Sequence, residues 1–91
     1  MYNIAVTYEW DEAKAAANIA AGRLGFEAIE DFEWETATVE RSDRRDEMRW
    51  AATGYIADRL YRVVFTRRGE ATRIISLRIA SEREEREYAA T

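Results

Sequence analysis

Cysteine, histidine and proline are all missing from this chain of 91 residues. Without cysteine there is no disulfide framework, no thiol nucleophile and no zinc finger. Without histidine the chain lacks the side chain that most often serves as a general base near neutral pH and as a metal ligand. The carboxylates show no clustered spacing and no Gly-rich phosphate loop is present, so we predict neither a metal site nor a cofactor.

Long apolar segments are missing as well. No stretch approaches the roughly 18 apolar residues that a membrane span needs. The first ten residues, MYNIAVTYEW, lack the basic region followed by an apolar run that marks a signal peptide. We therefore expect a cytoplasmic protein with no membrane partner. The length fits one domain over residues 1–91, and a hydrophobic share of 47% favours a folded globule.

The charge of the chain is segregated along its length. The overall net charge is −4, but residues 1–40 hold nine acidic residues against Lys14 and Arg23, a net charge of −7. Residues 41–80 hold ten arginines against five acidic residues, a net charge of +5. The potential at a surface depends on the local charge, so the middle segment is a candidate for binding phosphate groups. Thirteen of the fourteen basic residues are arginine, whose planar fork suits phosphate.

Hydrophobic periodicity and turn signals predict a small α+β domain. Asp11 and Gly22 suit the two ends of a first helix, and Ser81 with Glu84 forms a capping box for a last one. The predicted elements are a strand at 2–8, helices at 12–21 and 26–33, strands at 36–41, 47–55, 59–66 and 71–79, and a helix at 82–90. This order predicts an antiparallel meander with two N-terminal helices and one C-terminal helix. Tyr88 is the large apolar side chain expected to tether the last helix.

Two strands carry polar residues that suit a cleft. Glu47 and Arg49 are two residues apart on a predicted strand, so their side chains leave the same face roughly 6–7 Å apart. Strict alternation along the last strand places Arg78 on a polar face with Ser76, and Arg73 on the opposite, mainly apolar face. We therefore expect Arg78 rather than Arg73 in a polar cleft. The alternative is a cross-strand ion-pair cluster without further function.

The first helix presents a polar face of its own. Asp11, Lys14 and Asn18 fall at positions i, i+3 and i+7, which lie on one side of a helix. The simplest interpretation is a capping residue followed by two solvated side chains. The alternative is that this polar face takes part in the chemistry of the protein.

Taken in order, these motifs resemble a known family. The chain reads EWDEAK with a later Asn18, then EMRW, VVFTRRG and RIIS followed by Arg78, and finally ER before Tyr88. This pattern, over about residues 8–88, is similar to the BrnT family of bacterial type II toxins, small ribonucleases related to RelE. The resemblance implies a RelE-like α+β fold and metal-independent RNA cleavage. It also implies a cognate antitoxin with a DNA-binding region, through which the complex reaches operator DNA.

The resemblance also implies roles for individual residues. The matched polar positions are Asp11, Lys14, Asn18, Glu47, Arg49, Arg73, Arg78 and Tyr88. Cleavage by attack of the RNA 2′-OH on its neighbouring phosphate needs a base, an acid and cations. Arg49 and Arg78 suit the phosphate, Glu47 suits the base, and Lys14 or Tyr88 suits the acid. The remaining RNA-binding candidates are Arg44, Arg45 and Arg73.

The chain departs from the family pattern where histidine is concerned. Family members carry a Lys-His-Gly run where this chain has Ala21, Gly22 and Arg23, and the loop RSDRRDE lacks a second histidine. Three interpretations therefore stay open. The chain is an RNA-cleaving toxin, a weakly active or inactive RelE-like protein kept for antitoxin binding and operon autoregulation, or a small interaction domain whose arginines pair with its own acids.

Overall fold

A five-stranded sheet forms the centre of residues 7–91, the part of the chain that the computed structural model describes. The strands are β1 (Thr7–Trp10), β2 (Thr38–Arg41), β3 (Trp50–Ile56), β4 (Arg59–Arg68) and β5 (Ala71–Ile79). The α-helices are α1 (Glu12–Ala20) and α2 (Glu82–Ala89), and two 3₁₀ helices span Phe26–Asp31 and Trp34–Thr36. None of these helices is long and apolar enough to cross a membrane.

The sheet has the strand order β1-β5-β4-β3-β2. Strands β2 to β5 form an antiparallel meander, and β1 adds to the free side of β5 in parallel. The predicted α+β class and meander are confirmed. Of the first predicted strand, residues 2–6 lie outside the described part, and the described strand continues through Trp10.

The 3₁₀ helices cover one face of the sheet, where the core lies, and α1 packs along β5 and adds Ala15 to that core. The centre of the hydrophobic core is formed by Ala15, Phe26, Ile29, Phe32, Ala52, Val63, Ile74 and Leu77. Gly54 on β3 lets this layer approach closely, because a Cβ atom there would lie 2.8 Å from the ring of Phe32. The predicted helix at 26–33 is instead a 3₁₀ helix, which repeats every three residues and so buries Phe26, Ile29 and Phe32 together.

A bulge in β5 corrects the predicted faces of its arginines. Arg73 and Arg78 are five residues apart, but their partners on β4, Thr66 and Arg62, are only four apart. The register shift adds one residue, Ile75, to β5, so both arginines lie on the sheet face opposite the core. The expectation that Arg73 faces the apolar side was therefore wrong, because strict alternation cannot anticipate a bulge.

The strand predicted at 47–55 begins only at Trp50. The preceding residues form a tight turn in which Arg44 and Glu47 exchange backbone hydrogen bonds of 3.0 and 2.9 Å. Arg45 at the tip has φ of 54°, a left-handed conformation that residues other than glycine seldom adopt. Glu47 and Arg49 therefore project from a loop, residues 42–49, rather than from a strand.

Helix α2 docks on the second face of the sheet. The predicted capping box of Ser81 and Glu84 is present. The Tyr88 hydroxyl donates to the carbonyl of Thr36 at 3.0 Å, and its ring meets that of Tyr55 edge to face. The predicted tether is confirmed. Glu84 adds a second anchor, not predicted from the sequence, through its contacts with Arg78 and Arg62 of the sheet.

Candidate functional site

The N-terminus of α1 is fixed by its cap. The Asp11 carboxylate accepts hydrogen bonds from the backbone N–H groups of Ala13 at 2.8 Å and Lys14 at 3.2 Å. This confirms the predicted N-cap, which satisfies donors that the first helical turn leaves free. Lys14 is thereby held one turn into a helix that begins directly at the end of β1, beside β5.

Asn18 joins α1 to the sheet. Its Nδ2 donates to the carbonyls of Leu24 at 2.8 Å and Leu77 at 3.0 Å, and its Oδ1 accepts from Arg23 at 3.4 Å. Asn18 is 7% exposed, so the interpretation of a solvated side chain was wrong. The amide holds α1 against β5 beyond the end of β1, and its hydrogen-bonding groups are already occupied by the protein.

The loop that carries Arg49 is anchored on both sides of that residue. Asp43 accepts from the backbone N–H of Arg49 at 3.3 Å, and the Thr66 hydroxyl donates to the carbonyl of Met48 at 2.6 Å. Asp43 also pairs with Arg41, which lowers the pKa of this carboxyl mainly through their hydrogen bond. These contacts hold the backbone of Arg49 between β2 and β4.

Between α1, this loop and the bulged strand lies an open cleft of about 440 Å³, hereafter the central cleft. Its polar lining consists of Lys14, Asn18, Arg23, Ser42, Arg44, Arg49 and Ser76. A smaller cavity of about 220 Å³, hereafter the side cavity, shares Lys14 and Arg49 with it. The polar lining of the side cavity is completed by Asp11, Glu47, Thr66, Arg68 and Arg73.

The cations around these two spaces differ in how they are paired. The Arg49 guanidinium contacts Glu47 at 2.7 Å, and Arg73 contacts Glu9 at 3.0 Å. Within residues 7–91, Lys14 and Arg44 have no carboxylate within the 4.0 Å that defines an ion pair. Their positive charges are therefore available to an anionic ligand.

Arg78 lies apart from the central cleft. Its guanidinium forms two hydrogen bonds to Glu84 on α2, at 2.9 and 2.8 Å, and Arg62 contacts the same carboxylate at 3.2 Å. We name Arg62, Arg78 and Glu84 the α2 anchor cluster. The hydrogen bond from Arg78 is the main cause that lowers the pKa of Glu84 to about 2, and it raises the pKa of Arg78.

The structure thus divides the predicted site residues into two groups. Those brought to the central cleft, the side cavity or the turn beside them are Lys14, Arg44, Arg45, Glu47, Arg49 and Arg73. Arg78 and Tyr88 lie elsewhere, bound to Glu84 and to the backbone of Thr36. Arg68 and Thr66 also line the side cavity and were not among the predicted site residues, although both belong to the motif VVFTRRG.

The central cleft is lined by cations without a carboxylate, and the adjoining side cavity adds the carboxylates of Asp11 and Glu47. Arginine and lysine suit phosphate groups, and a carboxylate near them can accept a proton. Among residues 7–91 there is no cluster of three or more acidic side chains placed to bind a metal ion. An anionic substrate such as a phosphodiester fits this donor set.

A comparison with protein families gives a match over most of the chain. The family described as "Ribonuclease toxin, BrnT, of type II toxin-antitoxin system" matches residues 10–84. The matched segment contains α1, the whole meander and the loop that bears Arg49. No curated protein matches the chain.

Proposed function

This chain belongs to the BrnT family of ribonuclease toxins of type II toxin–antitoxin systems, and from that premise we propose that it cleaves RNA in the central cleft. The observation that carries the proposal is the position of Arg49. Its side chain borders both the central cleft and the side cavity, and the loop beneath it is anchored at Asp43 and Thr66. A cation held in this way stabilises charge that develops on a phosphate without reorganising at the moment of reaction.

The proposed reaction is metal-independent transesterification. The 2′-OH attacks the neighbouring phosphorus in line, so the O2′–P bond forms while the P–O5′ bond breaks. The hydroxyl proton passes to a base, and the departing O5′ receives a proton from an acid. Holding the RNA with attacking and leaving oxygens in line supplies much of the reduction in barrier.

Each residue of the cleft receives a role in this proposal. Arg49 binds the scissile phosphate, and the Lys14 ammonium donates the proton to O5′. Arg44 and Arg45, on the turn beside the cleft, bind flanking phosphates. Arg73, which lines the side cavity, also binds the RNA. Within residues 7–91 neither Lys14 nor Arg44 forms an ion pair with a carboxylate, which supports these assignments.

Glu47 is the proposed base. Its Oε1 accepts the hydrogen bond from Arg49, so it is engaged in the free protein. A phosphate that binds Arg49 competes for that hydrogen bond and releases the carboxylate beside the substrate. A pH–rate profile without an ionisation attributable to a carboxylate would remove Glu47 from this role.

Membership of a type II family implies a cognate antitoxin as partner. We propose that this antitoxin carries a DNA-binding region, neutralises the toxin in the cytoplasm and brings the complex to operator DNA. The support for this part is the family alone. Copurification of the two proteins, followed by operator binding with and without the toxin, tests it.

Induced expression in bacteria tests the proposed cleavage. Wild type is compared with Arg49→Ala and with Arg83→Ala, a control that removes an arginine from the exposed side of α2. We expect growth arrest and RNA decay with wild type and the control, and neither with Arg49→Ala at equal level of folded protein. Equal toxicity of all three proteins would contradict the assignment of Arg49.

Two observations favour a second candidate, a binding protein with little or no cleavage activity. Arg49 and Arg73 are each paired with a carboxylate, and the chain has no histidine to serve as a base. Such a protein would still bind its antitoxin and contribute to operon repression. Normal growth and intact RNA on expression of wild type, together with retained antitoxin binding, would favour this candidate.

A further inference from the structure

The carboxylate of Glu47 lies between two guanidinium groups. Its Oε1 is 2.7 Å from Nε of Arg49, and its Oε2 is 3.9 Å from a terminal nitrogen of Arg68. One oxygen thus faces each arginine. The two nonbridging oxygens of a phosphodiester can face two arginines in the same way.

The side cavity around this carboxylate is strongly cationic. Lys14, Arg49, Arg68 and Arg73 all border it. Asp11 is the other acidic residue in its lining, and the Asp11 carboxylate already accepts two backbone hydrogen bonds at the start of α1. Glu47 is therefore the anion that faces the paired arginines directly.

The Glu47 contacts are of a kind that a ligand can replace. Its side chain is 35% exposed and that of Arg68 is 58% exposed, so water screens their attraction. The backbone of Glu47 is held by its turn with Arg44, and Met48 is held by Thr66. The loop accordingly does not depend on the carboxylate to keep its shape.

We propose that the side cavity is a second phosphate subsite, which takes an RNA backbone phosphate next to the scissile one. In the free protein the Glu47 carboxylate occupies this subsite between Arg49 and Arg68, and the RNA phosphate displaces it. The inference rests on the proposed function, because it assumes that RNA enters the adjoining central cleft. It adds Arg68 as an RNA-binding residue and makes Glu47 a competitor of the substrate.

Binding of an RNA analogue that cannot be cleaved separates this inference from catalysis. The probe is a short single-stranded RNA with 2′-O-methyl groups, which has no nucleophilic 2′-OH. The proteins are wild type, Glu47→Gln and Arg68→Ala. The matched controls are Asp46→Asn, which removes the same charge one residue away, and Arg67→Ala, which removes an arginine from the opposite sheet face.

We expect Glu47→Gln to bind the analogue about 3- to 10-fold more tightly than wild type, since the competing carboxylate is gone. We expect Arg68→Ala to bind about 5- to 10-fold more weakly and to reduce the slope of log affinity against log salt by about 0.7, the value for one contact with a single strand. Both controls should stay within about 2-fold of wild type. With cleavable RNA, Glu47→Gln should combine a lower KM with a lower kcat.

The outcomes distinguish a failure of the proposed subsite from a failure of the proposed function. If wild type binds the analogue but Arg68→Ala matches Arg67→Ala, the subsite is overturned and the central cleft stands. Glu47→Gln binding no more tightly than Asp46→Asn would also overturn it, because general electrostatics would then explain any gain. If wild type does not bind the analogue at all, the proposed function fails together with the subsite.

Discussion

Two clusters of arginine and glutamate lie on the same face of the sheet and differ in what surrounds them. In the α2 anchor cluster, Glu84 is 14% exposed and receives hydrogen bonds from Arg78 and from the backbone of Ser81. In the side cavity, Glu47 is 35% exposed and has one close contact, to Arg49. Identical residue types are thus closed off by a helix in one place and open to a ligand in the other.

The difference follows from how much each carboxylate does for the fold. Glu84 closes the capping box of α2 and joins that helix to β4 and β5. Glu47 lies on a loop whose shape is held by backbone hydrogen bonds and by Thr66. An arginine whose carboxylate partner also anchors a helix contributes to stability. An arginine whose carboxylate partner is not needed for the fold can bind a substrate.

Replacing one arginine from each cluster gives the largest expected effect. Arg49→Ala should lower the rate of RNA cleavage by about 100-fold or more, the cost typical of losing a charge-stabilising donor, and leave the melting temperature nearly unchanged. Arg78→Ala should lower the melting temperature instead. RNA cleavage and thermal denaturation would be measured on the purified proteins. If both variants were stable and lost the same activity, Arg78 would belong to the site.

Neutralising Glu84 should have the next largest effect, on stability. Glu84→Gln retains the length of the side chain and a capping box but leaves two arginines without their carboxylate. We expect a loss of about 1–3 kcal/mol in the free energy of unfolding by urea. The matched change Glu47→Gln should alter the free energy of unfolding by less than about 0.5 kcal/mol. A similar loss in both variants would contradict the proposed difference between the two clusters.

The pH dependence of stability should report on the same carboxylate. Glu84 has a pKa of about 2 when folded, below its ordinary value of 4.5. Between these values the unfolded chain binds the proton more readily, so this contribution is present above pH 4.5 and is lost as pH falls towards 2. Unfolding of wild type and Glu84→Gln across pH 2–6 should show a shallower decline in the variant; parallel curves would contradict the lowered pKa.

Tyr88 allows a smaller test of how α2 is attached. Tyr88→Phe removes the hydrogen bond to Thr36 and should cost about 0.5–1.5 kcal/mol. Tyr88→Ala should also loosen the helix, visible as faster hydrogen exchange in α2 while the sheet amides stay protected. Global unfolding of the alanine variant would show that α2 belongs to the core.

The smallest expected effect concerns the edge of the central cleft. Arg44→Ala should weaken binding of the uncleavable RNA only about 2- to 5-fold and reduce its salt slope by about 0.7, because one flanking phosphate contact is lost. Arg59→Ala, at the first residue of β4, is the matched control. No difference between the two variants would remove Arg44 from the RNA path.

Much of the fold follows from local patterns in the sequence. The meander, the Asp11 cap and the Ser81–Glu84 capping box depend on alternation and on residues a few positions apart, which a single sequence displays. The type of the helix at Phe26–Asp31 was harder to predict, because apolar residues three positions apart are compatible with an α-helix and with a 3₁₀ helix.

The site was less predictable because it depends on contacts distant in sequence. One inserted residue, Ile75, decides that Arg73 shares a face with Arg78. The partner of Arg78 is Glu84, which the sequence analysis had already used as a capping residue. Asn18 binds the carbonyl of Leu77, 59 positions away, and no local pattern announces that bond.

The most direct test of the account is to map where RNA binds. Amide chemical shifts of the labelled protein would be followed by NMR as the 2′-O-methyl RNA is added. The account predicts the largest shifts at Lys14, along residues 42–49 and at Arg68, with little change in α2. Shifts centred on α2, Arg62 and Arg78 would contradict it and make the α2 anchor cluster the binding site.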